Sequence, residues 1–120
     1  MNLQEKIISL IDSKREENYW DFKQEPHDNN ASLLHDILCL SNSLYQGDRY
    51  LIIGVSDPWD GARVIGLQPG QPNRKEQSHL IDFLRSKKFA GDYRPEIELK
   101  TIVLENKEVD VLIMFDNPYK

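Results

Sequence analysis

A chain of 120 residues, 39% apolar and 29% charged, can build one hydrophobic core and is too apolar to stay disordered. A formal net charge of −5 excludes a protein that coats nucleic acid by bulk electrostatics, so phosphate contacts must come from local basic patches or from cations held by acids. The single cysteine, Cys39, excludes an intramolecular disulfide and a multi-cysteine zinc site, and no apolar run approaches the roughly 20 residues of a membrane span.

The N-terminal segment is amphipathic, carries acids throughout and lacks a small-residue cleavage site. It does not read as a signal or transit peptide, and a reducing cytoplasm is the expected setting. Residues 2–14 predict a helix, with Leu3, Ile7, Leu10 and Ile11 on one face. Tyr19–Lys23 is aromatic-rich and alternating, as a strand should be. Gln24–Asn30, with Pro26 and small polar residues, is a loop. A second helix is expected from Ala31 to Leu44, capped by Asn30, with Leu34, Ile37, Leu38 and Ser41 sharing a face. Cys39 falls inside this apolar pattern and is expected to fill core.

Arg49–Val55 is nearly continuous in apolar residues, the pattern of a central strand covered on both faces. Asp57–Gly61 predicts a turn into a short strand at Arg63–Leu67, together a hairpin. After a loop at Pro69–Pro72, a third helix is expected over Lys75–Ser86 with Leu80, Ile81 and Leu84 inward. Glu96–Leu104 and Val109–Phe115 alternate and predict a second hairpin joined by Glu105–Glu108. The fold class is α+β, helices packed on a mixed, mostly antiparallel sheet, in one domain over residues 1–120. The chain reaches Lys120 just after a strong strand, which predicts the N-terminal part of a longer polypeptide.

One constellation suggests chemistry. Alternation puts Tyr19, Asp21 and Lys23 on one strand face and Trp20 and Phe22 on the other. An acid followed two residues later by lysine is also the tail of a motif in many metal-dependent nucleases, where the carboxylate binds a divalent cation and the lysine steadies water or phosphate. Alone, Asp-x-Lys is more often a surface ion pair worth under about 1 kcal/mol. Position strengthens it. Glu16 and Glu17 lie just upstream, and Asp57 lies just past the end of the predicted central strand. If the two strands are neighbours, Asp21 and Asp57 converge at one rim of the sheet. Clustered carboxylates repel unless a cation is present, and hard oxygen donors favour Mg²⁺ or Mn²⁺. Four extended residues span about 13 Å, so an upstream acid reaches Asp21 only if the chain bends near Asn18. Parity leaves Glu16 and Glu17 both open, and Asp57 has an ordinary alternative as a turn residue ahead of Pro58.

At these residues the chain resembles the Schlafen family's Alba-like domain. That pattern runs from an acid to an acid-Phe-Lys strand, a helix ending in a small-residue-rich Asn, then a glycine and a strand ending Ile-Gly-Val-x-Asp. Here it reads EENYWDFK, DILCLSNS and GDRYLIIGVSD, with VIGL after the turn, from Glu16 onward. The resemblance implies a nucleic-acid partner, RNA more than DNA, and no membrane. In nuclease-active members it implies divalent metal, Mg²⁺ or Mn²⁺, and cleavage of structured RNA such as tRNA. Its implied site is Glu16 or Glu17, Asp21 and Asp57. Two departures bear on activity rather than fold: Asp21 replaces the usual glutamate, and Leu44–Asp48 replaces a Gly-Gly after the Asn. Schlafen-type domains often act as pairs, so a homodimer or an intramolecular partner is also raised, and members usually continue past Pro118-Tyr119.

Other residues carry two readings each. Arg85, Lys87 and Lys88 form a basic knot that grips phosphate or merely offsets a helix dipole. Arg49 and the Arg74-Lys75 pair are similar candidates. Asn42 hydrogen-bonds in the site or caps its helix. Trp59 stacks on a base or shields the hairpin, with packing the more ordinary role. His27, His35 and His79 are scattered without metal-ligand spacing, and no GxxxxGK-type phosphate loop supports ATP binding. Three readings follow: a metal-dependent endoribonuclease, in a toxic or defensive effector; a nucleic-acid-binding module that does not cut; and an interaction domain with no nucleic-acid role.

Overall fold

The computed structural model describes residues 1–87 and 96–116. Helix α1 (Leu3–Asp12) starts at a reciprocal cap. The Asn2 side chain accepts the Glu5 N–H at 2.8 Å, and the Glu5 carboxylate accepts the Asn2 N–H at 3.2 Å. The helix buries Ile7, Leu10 and Ile11 and stops short of the predicted residue 14, where Lys14 takes a positive φ of 59°. Strand β1 (Trp20–Lys23) alternates as expected, with Trp20 and Phe22 buried and Asp21 and Lys23 half-buried.

Helix α2 (Asn30–Ser41) is capped by Asn29 rather than Asn30, through a 2.8 Å bond from the Ser32 N–H. It buries Leu33, Ile37, Leu40 and Ser41, leaving Leu34 and Leu38 half-buried. Cys39 is therefore exposed, not core, with its sulfur 3.6 Å from His35 Nε2 one turn earlier. The helix ends at its C-cap Asn42, before the predicted Leu44.

Strand β2 (Arg49–Ile53) is covered on both faces, as its apolar run required. The predicted hairpin after it forms only in part: the chain turns back and pairs Val55 with Val64, with the Ser56 N–H donating to the Arg63 carbonyl at 2.9 Å and the Ile65 N–H to the Gly54 carbonyl at 2.8 Å, but no strand runs over Arg63–Leu67. Pro58–Asp60 makes one turn of 3-10 helix closed by Gly61 at φ 90°, and the segment beyond keeps only the isolated bridges Val55–Val64 and Leu67–Glu108. Helix α3 (Gln77–Arg85) buries Leu80 and Leu84 and is shorter than predicted at both ends. Strands β3 (Ile97–Leu104) and β4 (Lys107–Met114) form the predicted second hairpin, but across two residues rather than four. Glu105 and Asn106 both take positive φ, 52° and 62°, the geometry that matches strand twist in tight hairpins.

The sheet order is β1-β2-β4-β3, with β1 parallel to β2 and the other pairs antiparallel. This is the α+β class with a mixed, mostly antiparallel sheet. One face packs Trp20, Phe22, Ile52 and Val111 against α1. The opposite face packs Leu51, Ile53, Leu112 and Met114 against α2 and α3. Each fully buried aliphatic side chain contributes about 1.5–3 kcal/mol, so the two layers together define the core.

One charged lock sits inside this packing. Asp110 on β4 is 3% exposed. It accepts two hydrogen bonds from the Arg74 guanidinium, each 2.9 Å, and one from Thr101 Oγ1 at 2.7 Å. Arg74 also lies 2.7 Å from Glu108 and donates to the Gln68 carbonyl at 3.0 Å. The Asp110 hydrogen bonds hold its guanidinium further above an already high pKa, despite partial burial. Arg74 thus pins the loop before α3 to the sheet.

Candidate functional site: an acidic rim at the sheet edge

The site is built on the open edge of β1. The carbonyls of Tyr19 and Lys23 accept the N–H groups of Tyr50 and Gly54, at 2.9 and 2.7 Å. Backbone groups alternate sides along a strand, so the Phe22 N–H faces away from β2, along the unpaired edge. Glu16 Oε2 accepts that N–H at 2.7 Å. The bend this demands lies where expected, around Asn18: Glu17 and Trp20 form an isolated bridge, and Trp20 Nε1 donates to the Arg15 carbonyl at 2.9 Å.

This bend seats the Glu16 carboxylate on the Phe22 N–H, one residue along β1 from Asp21, close enough for the two acids to act on each other. Two carboxylates so placed disfavour being charged together, which favours a proton on Glu16. Loss of surrounding water pushes the Glu16 pKa up to about 7, aided by the hydrogen bond and charge of Asp21 and by the charge of Asp57; the Phe22 N–H pulls the other way. Glu16 still keeps much of its surface in solvent. The neighbouring carboxylates are therefore the firmer cause of the rise.

Asp57 stands on the same rim, close enough for its charge to act on Glu16. It also fills its ordinary turn role, accepting the Trp59 N–H at 2.7 Å. Lys23 Nζ lies 3.4 Å from Asp21 and 3.6 Å from Asp36. Partial burial works to lower its pKa, but the charges of both aspartates outweigh that and hold the ammonium above its ordinary value. Asp36, on α2, also lies 2.6 Å from His27 Nε2. A continuous polar row thus runs Glu16–Asp21–Lys23–Asp36–His27. Sequence reasoning missed its last two members, because a loop histidine and a helix aspartate nine positions apart share no motif spacing.

The remaining candidates lie elsewhere. Glu17 pairs with Arg15 at 3.1 Å, so Glu16 is the upstream acid that meets Asp21. Arg49 is inside the fold, its side chain 4% exposed, donating to the Tyr45 and Ser43 carbonyls at 2.6 and 3.4 Å and lying 3.5 Å from Asp116. Arg85 ends α3 on the surface, and Lys87 Nζ lies 5.1 Å from the Phe83 ring centroid. Lys88 is outside the described residues. Trp59 shields nothing: it is 96% exposed.

The oxygen donors of Glu16 and Asp21 suit a hard divalent cation in their chemistry. As they stand, however, no three His, Cys, Asp or Glu side chains among the described residues are gathered to hold a metal ion. Asp57, turned toward the Trp59 N–H, stands beside the pair without joining it. No helix among the described residues is long and apolar enough to cross a membrane.

No curated protein and no solved structure matches the chain. A protein-family model described as Schlafen, AlbA_2 matches residues 16–119, beginning at the first acid of the rim and running past the last strand. Membership in that family brings a nucleic-acid-related role. With most of its length matched, the chain belongs to the Schlafen AlbA_2 family.

Proposed function

We propose that this domain is a divalent-metal-dependent endoribonuclease acting on structured RNA such as tRNA. One observation carries the reading: Glu16 and Asp21 meet at the rim beside Asp57, an arrangement of like charges that is unfavourable unless a proton or a cation lies among them. Glu16 and Asp21 would hold Mg²⁺ or Mn²⁺, with Asp57 drawn in from its turn. Such an ion polarises a phosphate oxygen and lowers the pKa of bound water. The chain's own groups do the rest. Glu16, whose pKa is pushed up to about 7, would have to give up its proton to serve as a ligand. Lys23, kept cationic between Asp21 and Asp36, offers positive charge to a phosphate at the rim. His27, through Asp36, holds Lys23 in place.

A second reading, binding without cutting, is favoured by the lack of an assembled three-donor set among the described residues. The two separate in one experiment. Protein is incubated with tRNA and Mn²⁺, with and without chelator, alongside Asp21→Ala. Cleavage is expected to disappear with chelator and to fall on the order of 100-fold or more in the variant, the usual scale for a group aimed at developing charge. Cleavage that survives both treatments overturns the carboxylate mechanism, and tight RNA binding with no cleavage supports the second reading.

A further inference from the structure

Trp59 is the most exposed large apolar side chain among the described residues at 96%, whereas the only other tryptophan, Trp20, is 3% exposed. Packing an indole buries on the order of 150–250 Å², so leaving Trp59 in water forgoes one of the largest stabilising contacts available to this chain. The backbone beneath it is nevertheless firmly held. The Asp57 side chain accepts the Trp59 N–H at 2.7 Å, and the Asp57 carbonyl accepts the N–H groups of Asp60 and Ala62 at 2.8 and 3.2 Å. Ser56 Oγ donates to the Asp60 carbonyl at 3.3 Å and accepts the Arg63 N–H at 2.9 Å. Pro58 fixes the entry to the turn. A rigid turn presenting a bare aromatic face is a structural arrangement suited to stacking.

Its position gives the stacking partner. Trp59 lies two residues beyond Asp57, the acid whose charge reaches Glu16. The exposed Arg63 crosses the same turn, its Nε donating to the Asp60 carbonyl at 2.9 Å. An aromatic face at Trp59 and the exposed guanidinium of Arg63, four residues on in the same turn, match a base and its phosphate. Resting on the nucleic-acid reading above, we propose that Trp59 is a stacking platform for an unpaired nucleobase flanking the rim, with Arg63 meeting an adjoining phosphate. A base inside a continuous duplex cannot offer its face to the indole. The platform therefore selects single-stranded loops, bulges or ends. Because every base has a π face, it does so without reading sequence.

The two tryptophans make the test direct, since one is in solvent and the other in the core. Intact protein is titrated with a single-stranded RNA oligonucleotide and, separately, with a blunt duplex of the same sequence. Binding is followed by anisotropy of labelled RNA, and iodide quenching reports the exposed indole. The single strand is expected to quench that emission and protect it from iodide. Trp59→Ala is expected to weaken single-strand binding roughly 10-fold or more, in keeping with alanine substitution of a stacked aromatic, and to leave duplex binding unchanged. Trp59→Phe restores most of the loss. Single-strand binding that leaves the exposed emission unchanged, or that Trp59→Ala does not weaken, overturns the stacking proposal while the nucleic-acid reading stands. Absence of binding to any RNA or DNA overturns both. Protection of Trp59 that grows with protein concentration alone, without nucleic acid, assigns the indole to a protein contact and overturns the proposal.

Discussion

Asp110→Ala is expected to destabilise the fold by about 3 kcal/mol, the scale for removing one partner from a buried ion pair. Asp110 is almost wholly buried and accepts three hydrogen bonds, two from Arg74 and one from Thr101. Its loss strands a guanidinium whose side chain is 14% exposed and frees the loop that Arg74 ties to the sheet. Glu108 remains 2.7 Å from Arg74 but is itself much more exposed, so it compensates only in part. Glu108→Ala should accordingly change stability by less than about 1 kcal/mol. Urea unfolding checks both: a large fall in midpoint at constant slope for Asp110→Ala, and a small one for Glu108→Ala. Equal effects would mean that Asp110 is not the anchor of the lock.

Glu16→Gln should change the pH dependence of stability. Glu16 has an ordinary carboxyl pKa near 4.5 when unfolded and about 7 in the folded rim. Between those values the folded chain holds a proton that the unfolded chain has released. The stabilisation is fully present below the lower value and is lost as pH rises through the upper one. Because solvent screens this half-open rim, the effect is on the order of 1 kcal/mol rather than the full worth of the shift. Gln keeps an oxygen to accept the Phe22 N–H and cannot ionise. The difference between variant and parent isolates Glu16 from every carboxylate that titrates in both. The variant is expected to gain on the parent between pH 5 and pH 8, read from melting or urea midpoints. A constant difference across that range would mean that Glu16 holds no such proton.

Much of the fold was legible because it rests on local periodicity. Alternation in Trp20–Lys23 gave the strand and its faces, and the apolar run at Arg49–Ile53 gave the central strand. The errors came where one residue or one tertiary contact decided. The apolar run in α2 fits more than one inward face; the observed one, Leu33, Ile37, Leu40 and Ser41, is set by packing on the sheet and turns Cys39 outward. A turn with Pro58 and Gly61 reads as a hairpin connection, but how far the pairing beyond it extends is settled by packing, which keeps it to a bridge between Val55 and Val64. In the site, the bend that selects Glu16 over Glu17 depends on a hydrogen bond to an edge N–H that no spacing encodes. Arg49 and Arg74 illustrate the same point for charge: sequence offers a free cation, and folding commits both to internal carbonyls and carboxylates. His27 and Asp36 meet only because the loop folds back onto α2.

The most direct measurement follows the carboxyl carbons of Glu16 and Asp21 by ¹³C NMR across pH, with and without Mg²⁺. A Glu16 midpoint near 7 that falls when Mg²⁺ is added is the predicted result. A Glu16 that titrates as an ordinary isolated carboxyl, indifferent to the cation, would contradict the claim that these acids act together at one rim.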